Sequence, residues 1–483
     1  MPRSPTRAIN VETEKSGGSK ATASLREGVC LKGGWEPPYV LVMLGPGRFF
    51  ARRCSEMSQN LDLDPFWWEA APRRELEEKP LPTETDVAIV GSGFAGSSAA
   101  LVLARAGRKV TVLEKDRPGE GASSRNGGIA SGNLRMTFST MVKTYGVERA
   151  KTIYGEGDAA REDLKRFVEQ ENIECDYQEV GRWTGANRPK HYESMAREAE
   201  FLNKHLDTGA YMVPKAEQHD EIGSDLYFGG QIRPDIHGVH PGKLHQGMLE
   251  RVLEAGVDVQ NRTEVTGIQR DGDRFEVRTS RGTIRARNVV VATNGYTGKA
   301  TPWLQRRVIP IPSQIIATET LSPEVMDRLM PKKRMLGESR NLYNYFRPSP
   351  DGTRIVFGGK AGTITDDSVK KSRHLKKVLV EIFPELEDVG LTHSWWGYTG
   401  FTFDYMPKLV VNEGVHYATG FCGSGVVWAR WLGMKAAHSI AGNAEAETAF
   451  AADEFVTKPL YFGRPWFLPM VYFWYGMKDR MGM

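Results

Sequence analysis

Apolar and polar positions fall into a regular order only from about residue 86 onward. Residues 87–90 (Val-Ala-Ile-Val) form a short apolar run bounded by turn residues, which predicts a buried strand. Residues 97–106 are rich in Ala and Leu at helical spacing, Gly107 closes them, and 110–113 (Val-Thr-Val-Leu) predict a second strand. This is a βαβ unit, and its crossover should be right-handed. Helical spacing returns at 194–205, 243–255 and 424–441. Between them, 257–259, 265–268, 274–278, 282–285 and 289–291 predict short strands at the spacing of a meander, with Asp271-Gly272-Asp273 as a turn. Farther on, 341–347 and 355–360 flank a turn at 348–352 and read as a hairpin.

Residues 1–56 differ. They are rich in Ser, Gly, Pro and Arg, show no period before the apolar run 39–44, and are expected to be a largely irregular extension. That run is short and far from the start, which argues against a secretory signal. Two readings stay open: a transit peptide, against which Glu12, Glu14 and Glu27 count, and upstream translation with Met57 as the natural start.

Composition narrows the classes. The 483 residues suggest roughly two to four domains. A hydrophobic share of 40% with 26% charged residues excludes global disorder. A net charge of +4 gives no reason to expect nucleic acid. Cys30, Cys54, Cys175 and Cys422 form no CxxC pair, so neither a zinc ribbon nor a disulfide framework is expected, and the compartment should be reducing and cytoplasmic. No apolar run reaches the roughly 18 residues that span a bilayer. No His, Asp and Glu set has metal-ligand spacing, and no G-x-S-x-G elbow follows a strand, so neither a metal nor a serine nucleophile is expected.

Glycine, at 51 residues, leads to the chemistry. Gly91, Ser92, Gly93, Phe94, Ala95 and Gly96 spell G-x-G-x-x-G between the first strand and the first helix. Gly91 permits a tight turn, Gly93 lets the backbone approach a pyrophosphate, and Gly96 lets helix and strand pack closely. The helix N-terminus then offers N–H groups to the phosphates. Glu114 ends the second strand, where a carboxylate binds ribose hydroxyls, and Lys115 follows it. A second polar, glycine-rich stretch contains Ser123, Ser124, Arg125, Asn126, Gly127 and Gly128. It offers donors along a cofactor longer than NAD, which favours FAD.

The run 121–128, placed after such a βαβ unit, resembles the flavoprotein family of D-amino-acid oxidase, glycine oxidase and sarcosine oxidase, and most of all its gamma-glutamylputrescine oxidoreductase-like group. Further segments are similar to that family in order: Val239-His240-Pro241, the strand at Val265 whose backbone meets adenine, the turn at Ala292, Asn294 and Gly295, the Thr399, Asp404 and Pro407 signature, and Gly420, Phe421, Gly423, Ser424, Gly425 and Val426 before the last helix. The resemblance implies an α/β fold: a Rossmann-like FAD-binding domain from 86–170, 237–310 and 393–445, and a mixed-sheet α+β substrate domain from 171–236 and 311–392. A leader, 57–85, precedes them and an aromatic tail, 446–483, follows.

It also implies a dissociable FAD. Where sarcosine oxidase-like relatives carry a linking Cys, this chain has Trp395-Trp396, and Cys422 reads as a packed residue. In the predicted hairpin, Tyr343, Tyr345 and Arg347 share one face at period two. By resemblance that strand walls the substrate side of the flavin, with Arg347 or Lys360 as a carboxylate anchor. The oxygen-promoting lysine of sarcosine oxidase falls near Val356, so an electron-transfer dehydrogenase stays as open as an oxidase. The expected reaction is oxidation of an amine or amino acid to an imine that hydrolyses to a carbonyl and an amine. The electrons would go to O2 or another acceptor. A 2-hydroxy-acid dehydrogenase, the flavin subunit of a larger dehydrogenase and a homo-oligomer also remain open. The aromatic tail reads as docked on the protein or a partner subunit, because the basic face of an interfacial helix is not evident.

Overall fold

The computed structural model describes residues 61–359, 367–452 and 455–482, together with the backbone of Tyr39–Met43 and Phe49–Arg53. Lys360 and the rest of the extension lie outside the described residues. The chain divides into a unit of residues 1–56 and a unit of residues 57–483. In the first, Tyr39–Met43 pairs antiparallel with Phe49–Arg53. The apolar run thus forms a regular hairpin inside a stretch expected to be irregular.

In the second unit the chain opens with β1 (Glu84–Val90), α1 (Phe94–Arg105) and β2 (Val110–Leu113), the predicted βαβ unit with β1 and β2 parallel. Helix α2 (Pro241–Glu254) leads to β3 (Asp258–Gln260), followed by β4 (Val265–Asp271), β5 (Arg274–Thr279) and β6 (Gly282–Val291). The sheet order is β3-β2-β1-β6-β5-β4. Two expectations are corrected here. Residues 257–259 leave the meander, because β3 pairs parallel with β2. The runs 282–285 and 289–291 form one strand. Its first half alternates exposed and buried against β5, and its last three residues are buried between β1 and the parallel strand Val415–Thr419.

The other sheet is built on β7 (Ile309–Thr318), β8 (Asn344–Pro348), β9 (Ile355–Gly359) and β10 (Leu391–Phe401), in the order β10-β7-β9-β8. It continues through Met335–Glu338 and Arg182–Gly185. β7 and β10 pair antiparallel along nearly their whole length, from Ile309↔Phe401 to Thr318↔Leu391. Residues 309–310 and 393–401, expected with the FAD-binding half, therefore belong to this sheet. Helix α3 (Gly425–Ala441) returns to the first sheet and lies so close to α1 that a Cβ on Gly433 would sit 2.1 Å from the Ala95 carbonyl oxygen. The chain closes with α4 (Leu468–Met481). Among the described residues no helix is long and apolar enough to cross a membrane.

Residues of the leader join the two sheets. Asp62 pairs with β10, its N–H donating to Thr392 O and its carbonyl accepting from Ser394 N at 2.9 and 2.8 Å. Trp67 and Trp68, in the short helix Trp67–Ala70, are buried.

Candidate active site

The turn after β1 is made by backbone. Gly91 has φ +100°, and a Cβ on Gly96 would lie 1.8 Å from Gly91 O. Ser92 fixes the acid at the end of β2: its N–H and Oγ both donate to Glu114 Oε2, at 2.9 and 2.6 Å. Gly93 has no side chain with which to cap α1, and Ser123 Oγ takes that place, accepting from the Phe94 N–H at 2.9 Å. The second glycine-rich stretch is thereby tied to the first. A Cβ on Gly93 would come 2.8 Å from Ser123 Oγ.

The loop 122–128 is held from three sides. Trp67 Nε1 donates to Asn126 O, Trp68 Nε1 to Ser124 Oγ and Trp395 Nε1 to Arg125 O, each at 2.8 Å. Asn126 folds the loop on itself, its Nδ2 donating to Ala122 O and Ser123 O and its Oδ1 accepting from Gly128 N. Arg73 and Arg125 stack on the Trp68 ring, 3.6 and 4.6 Å from its centroid.

These loops border a cavity of about 570 Å3, within the range of small-molecule and cofactor sites. Of the expected cofactor residues, Gly91, Gly93, Phe94, Ala95, Glu114, Lys115, Ser123, Arg125, Asn126, Gly127, Val265, Ala292, Asn294, Thr399, Phe421, Gly423, Ser424, Gly425 and Val426 line it. Ser92, Gly96, Ser124, Gly128, Gly295 and Gly420 stand behind the wall. Ser92 pins Glu114, and Ser124 accepts from Trp68 and donates to Gly119 O. A Cβ on Gly128 would meet Val239 O, and one on Gly295 would meet Gly400 N. Gly420 donates to Asn294 Oδ1 at 3.0 Å.

At the far end the turn before α3 meets the loop 131–135. Ser424 Oγ donates to Asn133 O at 2.6 Å, while Asn133 Oδ1 is a buried acceptor without a partner. An orphaned acceptor in the wall, the α1 N-terminus at the cavity edge and a cradle with no room for a Cβ at Gly93 suit a long, polar, phosphate-bearing group.

The substrate wall departs from expectation. Tyr343 and Tyr345 do line the cavity, stacked with centroids 6.1 Å apart. Tyr345 fits because its ring occupies the space that Cβ atoms on Gly127 and Gly358 would need. Arg347 shares their face but lies beyond the cavity, fully buried. Its Nη1 donates to Gly128 O and Val239 O at 2.8 Å, its Nη2 to Gln178 Oε1 at 2.6 Å and its Nε to Pro348 O at 3.1 Å. With these donors engaged it is a structural tie rather than a carboxylate clamp. Period two gave its face correctly and could not show where the cavity stops.

Two other arginines reach the cavity, and sequence reasoning missed both. Arg182, at the start of a short strand, donates to the Tyr343 hydroxyl, and its buried Nε has no partner. Arg135 presents its accessible surface to the cavity, 5.6 Å from the Tyr343 ring and 5.5 Å from Phe401. No carboxylate pairs with either among the described residues. Desolvation lowers the pKa of Arg135, and burial with the nearby Arg135 charge lowers that of Arg182 to about 10, so Arg182 stays cationic at neutral pH.

Residues 86–439 match the family described as DAO, FAD dependent oxidoreductase. The chain belongs to this family. As an FAD-dependent oxidoreductase it is 31% identical over 431 residues to a probable oxidoreductase OrdL of Rhizobium meliloti, covering 86% of this chain and 97% of that protein. It is 30% identical over 407 residues to gamma-glutamylputrescine oxidoreductase of Escherichia coli, covering 82% and 93%. Glycine oxidase from Geobacillus kaustophilus shares the fold, with a TM-score of 0.64 at 21% identity, over 78% of this chain and 99% of that one. FAD is the cofactor of this family. No histidine lines the cavity among the described residues, and the Cys422 thiol donates to Gly420 O at 3.0 Å while burial pushes its pKa up to about 11.

Proposed function

We propose that this enzyme oxidises the carbon–nitrogen bond of an amine or amino acid that also carries an anionic group, giving an imine that water converts to a carbonyl compound and a released amine. The observation that supports it is the pair of cavity-facing guanidiniums, Arg135 and Arg182, beside the stacked Tyr343 and Tyr345. The relatives' names, gamma-glutamylputrescine oxidoreductase and glycine oxidase, point to the same substrate class.

Bound FAD supplies the two-electron acceptor for the C–H next to the nitrogen, and O2 or a second acceptor reoxidises it. The protein's part is to hold, dry and deprotonate. Arg135 and Arg182 hold the anion, in charge-assisted hydrogen bonds of the kind that fix orientation. Tyr343 and Tyr345 exclude water from the reacting carbon. The carboxylates of the cavity wall, Glu114, Asp116, Glu120 and Glu264, belong to the cofactor-binding loops and the first sheet, so none serves as a base at the tyrosines. The amine proton goes instead to bulk water as the substrate enters, and the positive potential of the two cations favours binding of the neutral amine over the ammonium ion.

Anaerobic mixing with a panel of amines, amino acids and 2-hydroxy acids tests the reading. Bleaching of the flavin by an amine, with release of ammonia or a smaller amine, is expected. Bleaching by hydroxy acids alone would replace it with a 2-hydroxy-acid dehydrogenase. Turnover only in the presence of other subunits would make the chain part of a larger dehydrogenase.

A further inference from the structure

The C-terminal segment has two faces, and only one is used by the fold. Inward, Tyr461 and Leu468 are buried against Ile309, Ile311, Phe401 and Cys422, and Tyr461 OH donates to Val308 O at 2.6 Å. Asp479 accepts from Asn341 N and Leu342 N at 2.8 and 3.0 Å. The segment is therefore fastened to the outside of the cavity wall, next to Tyr343. Outward, eight of the fifteen exposed large hydrophobic side chains among the described residues fall between Val456 and Met481. Leu460, Phe462 and Phe473 are 72%, 64% and 69% accessible. Trp466, Met470, Phe473 with Trp474, and Met481 follow one another at helical spacing along a single stripe.

We propose that this face of α4 and the turn before it seats the enzyme on an anionic lipid surface. A patch of this kind marks an interaction site rather than ordinary surface. Its chemistry selects the partner. Tryptophan, phenylalanine and methionine dominate it, and aromatic residues concentrate where bilayer meets water. Cations border it. Lys458, Arg464 and Arg480 are exposed, Lys478 lies 5.4 Å from the Trp474 ring, and Arg306 lies 4.8 Å from the Phe462 ring. The one acid from Phe455 onward, Asp479, is turned inward onto backbone N–H groups. The outward charge is thus positive, complementary to acidic headgroups. The basic border that the sequence pattern did not show is assembled in space from three separate stretches of chain.

Holoenzyme would be sedimented with unilamellar vesicles of phosphatidylcholine alone, or with about one third phosphatidylglycerol. Wild type is expected to sediment with the acidic vesicles and to be released by salt. Met470→Ser combined with Phe473→Ser is expected to lower vesicle partitioning by about tenfold or more while leaving flavin absorbance and anaerobic reduction by substrate unchanged. Failure of wild type to bind acidic vesicles, or equal binding by the variant, would overturn the proposal. So would a wild-type dimer that the variant converts to monomer without any vesicle binding, which would make the face a contact between two copies of the chain.

Discussion

The two ends of the cavity are built from different material. The proposed dinucleotide end is made largely of backbone: glycines at 91, 93 and 96, the start of α1, and Glu114 pinned by Ser92. The proposed substrate end is made of side chains that arrive from distant places. Arg135 comes from a loop, Arg182 from a short strand, and the two tyrosines from β8 and the turn before it. A backbone site tolerates almost no change at the positions that shape it, while a side-chain site can be retuned one residue at a time.

The largest expected effect tests the backbone end. Gly93→Val places a branched side chain where a Cβ already lies 2.8 Å from Ser123 Oγ. The purified protein is expected to be colourless, and a fully flavinylated variant would remove the glycine turn from the cofactor site. Wild type, by contrast, is expected to release its FAD on acid precipitation, because no histidine lines the cavity among the described residues and the Cys422 thiol is buried and engaged with Gly420 O.

Arg347→Ala asks on which side of the comparison that residue belongs. It leaves Val239 O without its Arg347 donor, while Gly128 O keeps the Val239 N–H at 2.8 Å, and one unpaired buried acceptor costs about 1–3 kcal/mol. Thermal unfolding is expected to shift down by several degrees, with substrate Kd of the surviving holoenzyme unchanged. A shifted Kd at normal stability would restore Arg347 to the substrate site.

Arg182→Met tests the side-chain end itself. A charge-assisted bond is worth about 1.5–3 kcal/mol, or roughly 10- to 150-fold in substrate affinity. FAD content is expected to stay at the wild-type level. If flavin is lost instead, the two ends are not separable. A pH series adds a sign. With the neutral amine as the proposed reactive form, the rate of flavin reduction at fixed substrate is expected to rise with pH until the bound amine is deprotonated and then level off.

A smaller effect is expected at the leader. Trp68→Phe keeps an aromatic side chain smaller than the buried indole and removes the Nε1 donor to Ser124. A neutral hydrogen bond is worth about 1 kcal/mol, so FAD Kd should rise about fivefold, alongside some loss of apoprotein stability from the lost packing. The smallest effect of all is expected from a chain that starts at Met57. It should bind FAD and turn over like the full chain, and insolubility would give residues 1–56 a structural role.

The same contrast explains what could be read from the sequence. The βαβ unit, the glycine turn, Glu114 and the turn before α3 were legible because each is local, with a few glycines at fixed spacing between a strand and a helix. Arg135 and Arg182 carry no such spacing. They are ordinary cations until the fold brings them to one cavity without acidic partners. Arg347 shows the converse: alternation fixed its face, yet its partners, Gly128, Gln178 and Val239, come from elements that no period connects to β8. The sheet border was misplaced for a related reason. β10 precedes residues of the FAD-binding half in sequence, while its hydrogen bonds run to β7.

The cavity wall begins at Val90 and ends at Ala429, and this bears on how the enzyme is made. The first loop to touch the cofactor leaves the ribosome early. The strand Val415–Thr419, which flanks β6, and the turn before α3 leave it near the end of translation. A growing chain cannot retain FAD on half a cradle. The full cradle is therefore expected to exist only once the chain is nearly complete, and FAD that binds the folded form then stabilises it by mass action.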